Sequence, residues 1–355
     1  MNNRRALLTY LAASGLAACS PRGQFGRADA EDATGVQQLL VATLRVADPA
    51  PIAYGADRAD SAQFAQLAVS IPPVHQTGHI EWPSGNNPDP QKHFALVGAQ
   101  LLPDLEALAG AVREQAHGAQ EAVLFVHGYN TNFAEGVYRQ AQIAWDYDMK
   151  GPQIHFAWAS AAHALAYTED RDSALHARDG LVETLLRLLQ HDQPKLAIVG
   201  HSMGGFLVME ALRQIALQGD RKILDRLANV VLISPDIDID LFKMQARSLA
   251  PLPQPFTVAV AKNDRLLKIS AGLSGGRQRL GTVDDLDLLG DLGILVIDLT
   301  EAGGSGGNHF LAGSSPTAIA VMRGFRNASP SMSVNVTFGP VRITLGNMGL
   351  STSSG

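Results

Sequence analysis

Six short, nearly continuous apolar runs recur through the later part of the sequence: Ala122–Val126, Ile154–Trp158, Leu196–Val199, Val230–Ile233, Phe256–Ala261 and Ile294–Ile297. A strand with one face in water alternates apolar and polar residues. A run that is apolar throughout is buried on both faces, as in a parallel sheet covered by helices. Amphipathic segments lie between several of the runs, most clearly Ala134–Trp145, Ser173–Leu189 and Phe206–Leu217. This alternation predicts an α/β domain with a mostly parallel, doubly wound sheet, flanking helices and right-handed crossovers. With 355 residues, 46% of them hydrophobic, the chain can bury such a core.

The flanks are less regular. Leu39–Val46 and Ala65–Ile71 read as strands. Residues 72–93, with Pro72, Pro73, Pro83, Pro88 and Pro90, read as irregular surface structure. Leu101, Leu105, Leu108 and Val112 give helical spacing over Gln100–Gln115. Val334–Phe338 and Val341–Leu345 alternate around Gly339-Pro340, which predicts a hairpin within a C-terminal segment, 327–355, outside the main domain at 39–326.

At the other end, Arg4 and Arg5 precede an apolar run, Ala6–Ala18, that ends in small residues. A charged start, a short apolar stretch and small residues at the cut make residues 1–18 a secretory signal peptide. Leu16-Ala17-Ala18-Cys19 resembles a bacterial lipobox, which implies that Cys19 becomes the acylated first residue of an exported, lipid-anchored chain on the bacterial envelope. Residues 20–38, with Pro21 and three glycines, read as a flexible tether. Outside the N-terminus, no apolar stretch approaches the ~20 residues needed to span a bilayer. The formal charge of −6 and the lack of a basic stripe exclude a nucleic-acid partner. A single cysteine excludes an internal disulfide and a cysteine-based zinc cluster.

The chemistry concentrates after the Leu196–Val199 run, at Gly200-His201-Ser202-Met203-Gly204. G-x-S-x-G between a strand and a helix is the nucleophile elbow of α/β-hydrolases. The serine sits on a sharp turn, and side chains at 200 or 204 would crowd it. In this fold an acid and then a histidine follow the nucleophile. His309, after the Ile294–Ile297 strand, is the only histidine downstream of Ser202, and it is the candidate base. Asp264, after the Phe256–Ala261 strand, leads as candidate acid. Asp236 and Asp238, after Val230–Ile233, are the alternatives. The oxyanion hole calls for the amide of Met203 and one from an earlier loop. His127-Gly128-Tyr129-Asn130, after Ala122–Val126, supplies the amide of Tyr129.

Taken together, these motifs resemble an uncharacterised bacterial α/β-hydrolase family. The resemblance rests on the H-G-Y-N loop at 127–130, Trp158-Ala159-Ser160, the elbow, and Ser234-Pro235-Asp236-Ile237-Asp238. Ala42–Arg45, Ser70–His75, Tyr167–Arg171, Asn263-Asp264, Arg279–Gly281 and Gly307–Phe310 extend it. Ala159, Gly200 and Ser234 depart from the family's usual Pro, Ala and Ala. The resemblance implies the α/β-hydrolase fold and a Ser202, His309, Asp264 triad, but no substrate. The expected activity is hydrolysis of a small-molecule or lipid carboxylic ester through an acyl-enzyme at Ser202, without metal or organic cofactor. The alternative is a non-catalytic envelope lipoprotein that uses the fold for binding. Arg277 and Arg279 place residues 270–292 as a candidate border of the substrate entrance, with Trp158 and Tyr167 as candidate lining.

Overall fold

The computed structural model describes residues 23–326, apart from 34, 49–51, 84–87, 286–288, 290–291 and 304–308, together with 335–338 and 341–345. The predicted signal peptide, Cys19 and the hairpin turn at Gly339-Pro340 lie outside the described residues.

The strands are β1 (Gly35–Ala47), β2 (Tyr54–Ile71), β3 (Ala95–Leu102), β4 (Glu121–Val126), β5 (Gln153–Ala157), β6 (Lys195–His201), β7 (Leu227–Ile233), β8 (Phe256–Val260), β9 (Ile294–Asp298), β10 (Asn335–Phe338) and β11 (Val341–Leu345). They form one sheet in the order β10-β11-β9-β8-β7-β6-β4-β5-β1-β2-β3. From β9 to β1 all neighbours are parallel, and antiparallel strands extend both edges. The helices are α1 (Leu105–Ala116), α2 (Phe133–Asp146), α3 (Tyr167–His176), α4 (Arg178–Leu188), α5 (Met203–Leu217), α6 (Ile239–Leu249), α7 (Arg265–Leu273), α8 (Leu311–Ser314) and α9 (Pro316–Arg326). This is the mostly parallel sheet with flanking helices predicted from the apolar runs, arranged as the α/β-hydrolase fold that the resemblance implies. Each of those runs is a central strand, and β5 and β8 are wholly buried.

Strand order reverses at β4, which has β5 on one side and β6 on the other. At such a switch point the connections leave in opposite directions and open a crevice beyond the strands' carboxyl ends. The two motif-bearing turns, 127–130 after β4 and 200–204 after β6, meet there.

Four expectations need correction. The helix over Gln100–Gln115 begins later: residues 95–102 are β3, and α1 starts after Asp104, whose carboxylate accepts from the Ala107 amide at 2.8 Å. Leucines on either side of this cap had mimicked one helical stripe. The helix at Ser173–Leu189 is two helices that meet at Ala177, and α3 begins six residues earlier than predicted. Much of the predicted tether is packed. Phe25 stacks edge-on against Phe133 and Tyr138, Leu96 donates to the Gly26 carbonyl at 2.8 Å, and β1 starts at Gly35. An irregular segment held by its backbone and one aromatic ring carries no periodicity to read. The C-terminal hairpin is not separate either, because β11 pairs with β9 and prolongs the main sheet.

Candidate functional site

Ser202 follows β6 with φ +53° and ψ −118°, a strained conformation for a residue with a side chain. The surrounding backbone imposes it. The Ser202 amide donates to the Ile233 carbonyl (2.9 Å), while the Ser202 carbonyl accepts from the amides of Gly205 (3.0 Å) and Asp236 (3.1 Å). The glycines are needed for close approach. A Cβ at 200 would lie 2.8 Å from the Gly205 Cα, and one at 204 would collide with the carbonyl oxygens of both Val126 and His127. Since backbone cannot move aside as a side chain can, Gly204→Ala is expected to destabilise the fold by about 3 kcal/mol. A urea-unfolding midpoint equal to that of the parent chain would contradict this packing.

The predicted partners come together in part. His309 Nδ1 lies 2.7 Å from Asp264 Oδ2, and the Asp264 carboxylate is fully buried. Asp264 also caps α7, its Oδ1 accepting from the amides of Leu266 (2.9 Å) and Leu267 (3.1 Å). With one oxygen fixed by the helix, the other is aimed at the imidazole. His309 lies against the elbow: its ring centroid is 4.8 Å from that of His201, and its carbonyl is 3.3 Å from His201 Nε2. Among the described residues the Ser202 hydroxyl makes no hydrogen bond, to His309 or to any other group.

The rival carboxylates are occupied elsewhere. Asp238 caps α6 through the Leu241 amide (3.0 Å). Asp236 is buried against Tyr167 Oη (3.0 Å), Ser270 Oγ (2.5 Å) and Arg279 Nε (3.2 Å). That places Arg279 in the core, not at an entrance, while Arg277 is exposed and pairs with Asp240. Trp158 and Tyr167 are also buried, with the Trp158 indole donating to the His127 carbonyl at 2.8 Å.

Four imidazoles crowd this end of the sheet, and their environments separate them. Burial, reinforced by the charge of Arg45, holds His127 well below its ordinary pKa and His155 down at about 3. Burial and the adjacent His309 also hold His201 well below its usual value. These three rings are neutral at pH 7. His309 alone has a carboxylate partner, and part of its side chain is exposed.

The amides of Met203 and Tyr129 donate to no acceptor among the described residues. Met203 opens α5, so its amide points out of the positive end of a helix. The loop carrying Tyr129 is held by residues whose role was not read from the sequence. Buried Asp170 accepts from the Asn130 amide (3.0 Å), Ser160 Oγ (2.6 Å) and the Ala161 amide (2.6 Å). Burial raises its pKa, against the lowering effect of these hydrogen bonds. Buried Arg45 donates to the carbonyls of Thr131 (2.7 Å), Ser160 (3.1 Å) and Gly55 (2.8 Å). Both residues stand in stretches that carried the family resemblance, Ala42–Arg45 and Tyr167–Arg171, and that was their only signal. Gly128 lets the loop approach the elbow, since a Cβ there would lie 3.0 Å from the Ser202 Cβ.

A family model described as an alpha/beta hydrolase of unknown function (DUF900) matches residues 106–326. Among solved structures, an esterase from Pyrobaculum calidifontis is 12% identical, with 83% of this chain and 87% of that chain covered and a TM-score of 0.35. A putative hydrolase from Agrobacterium vitis is 13% identical over 82% of this chain and 98% of that one, with a TM-score of 0.36. An esterase from Rhizomucor miehei is 12% identical over 89% and 87%, with a TM-score of 0.37. No curated protein matches the chain.

Proposed function

Because the chain belongs to this α/β-hydrolase family of unknown function, we propose that it is a serine hydrolase acting on carboxylic esters, with Ser202 as nucleophile, His309 as base and Asp264 as its orienting acid. One observation carries the reading: the carboxylate-paired imidazole of His309 lies against a strained serine turn at the switch point of the sheet.

In the proposed reaction Asp264 accepts a hydrogen bond from the Nδ1–H of His309, which leaves Nε2 as the basic nitrogen. His309 takes the Ser202 proton as the oxygen attacks the ester carbonyl. The amides of Met203 and Tyr129 receive the negative charge that develops on the carbonyl oxygen. His309 then protonates the departing alkoxide, and water releases the acid by the same steps in reverse order. The resting hydroxyl is not yet bonded to the imidazole, as is common before substrate tightens such a site. The strain at Ser202 and the buried supports Asp170 and Arg45 pre-position the hydroxyl and the amide donors. The acidic chain's N-terminal sequence supports an exported, acylated form tethered through Cys19 to the bacterial envelope.

A fluorophosphonate probe tests the assignment, because it reacts only with an activated serine. Labelling of the parent chain that vanishes in Ser202→Ala is expected. Labelling that persists in that variant, or a parent chain that never labels, would overturn the reading.

A further inference from the structure

Helix α7 begins at Asp264 and shows an unusual outer face. Leu266, Ile269 and Leu273 are 51%, 59% and 67% exposed, on the solvent side of a helix whose inner face is Leu267 and Ser270. Spaced three and four residues apart, they make one apolar stripe. The exposed cations Arg265 and Lys268 border the stripe along one side, and neither has an acidic partner among the described residues. In a chain of net charge −6, this is a local concentration of unpaired positive charge.

The position of the helix gives the stripe its meaning. Ser270 Oγ bonds to Asp236, just beyond β7, and to Tyr167, at the start of α3. The helix therefore lies across the carboxyl edge of the sheet, the edge that holds Ser202, with its stripe turned away from the protein. Leu165, 89% exposed, projects from the same edge, on a loop fastened to the Tyr129 hydroxyl through the Ala164 carbonyl.

The described chain also starts at this edge. The Gly23 amide donates to Glu135 (3.0 Å) and its carbonyl accepts from Asn132 (2.8 Å), where α2 opens just after the 127–130 loop. Cys19 precedes Gly23 by four residues in the sequence. Gly23 and α7 thus flank the Ser202 turn, one beside the loop after β4 and the other after β8.

We propose that this edge docks on an anionic lipid bilayer, with Leu266, Ile269 and Leu273 entering the headgroup boundary and Arg265 and Lys268 over lipid phosphate. The helix has the composition of an interfacial helix, an apolar stripe bordered by cations. The contact does not require acylation of Cys19, but the anchor and the helix would reinforce each other, since a single weak membrane signal binds reversibly. Docked in this way, the Ser202 turn faces the lipid surface, so amphiphilic esters in the bilayer become its nearest substrates. The docking itself does not depend on hydrolysis at Ser202.

The single cysteine makes a direct test simple. In the full chain carrying Cys19→Ser, Ile269→Cys is labelled with an environment-sensitive fluorophore and mixed with vesicles of phosphatidylglycerol and phosphatidylcholine that contain a brominated lipid quencher. Leu101→Cys, at an equally exposed leucine (62%) on β3, is the control. The expected result is a blue shift and about threefold quenching at position 269 and neither at 101, because an interfacial helix lies within the boundary region. Arg265→Ala and Lys268→Ala should each weaken binding about fivefold at low salt. A label at 269 that stays in water while the chain sediments with vesicles would overturn the proposal. So would a blue shift at 269 without lipid, coupled to dimer formation, which would assign the stripe to a second copy of the chain. The Ser202→Ala chain should bind vesicles like the parent, which separates failure of docking from failure of the hydrolase reading.

Discussion

Ser202→Ala should lower kcat on a hydrolysed ester by about four to six orders of magnitude. In the proposed mechanism the Ser202 hydroxyl forms the acyl-enzyme, and its loss would leave only binding and any residual oxyanion stabilisation. KM and thermal stability should change little, because the hydroxyl makes no hydrogen bond among the described residues. The strain stays in the backbone, where the amide and carbonyl of residue 202 remain held by Ile233, Gly205 and Asp236. Steady-state kinetics on short-chain aryl esters, beside a melting curve, measures both quantities. Turnover within tenfold of the parent would mean that the chemistry does not pass through this serine.

Asp264→Asn should reduce kcat by about four orders of magnitude at nearly unchanged stability. The carboxylate has two tasks, one for each oxygen. The oxygen that caps α7 can be replaced by the amide oxygen of asparagine, so the Leu266 and Leu267 amides keep an acceptor. The other oxygen becomes an NH2 group that donates to His309 Nδ1. The imidazole must then carry its proton on Nε2, where it cannot take one from serine. Asp264→Ala should lose the same activity and in addition about 1 kcal/mol of stability, the worth of a helix cap. The pair of variants separates a tautomer effect from a structural one. An asparagine variant that retains most of its turnover would move the acid's role elsewhere, although Asp236 and Asp238 are already committed to Arg279 and to α6.

The two parts of the chain differ in how openly their sequence declares their structure. The central strands were legible because a strand buried on both faces must be apolar at every position, and only one kind of sheet requires that. The elbow was legible because a serine at positive φ between strand and helix needs glycine on both sides, at 200 and 204, where backbone passes too close for a Cβ. The first strands, β3 and the α1 start were read less well. There the apolar stripe crosses from strand to helix at Asp104 without a break in spacing, and the packed N-terminal segment depends on one aromatic ring.

Local sequence therefore determined the layered architecture, the strained serine turn and the short set of candidate residues around it. Only the tertiary structure shows which carboxylate meets His309. Asp236 and Asp264 occupy equivalent places at the ends of neighbouring strands, and the sequence put Asp264 first without removing its rivals. The difference is that Arg279, Tyr167 and Ser270 converge on one and His309 on the other. The same holds for Asp170 and Arg45, which support a loop some forty and eighty-six residues away in the chain. Contacts of that kind are set by how strands stack in the sheet, and strand stacking leaves no mark on the neighbouring sequence.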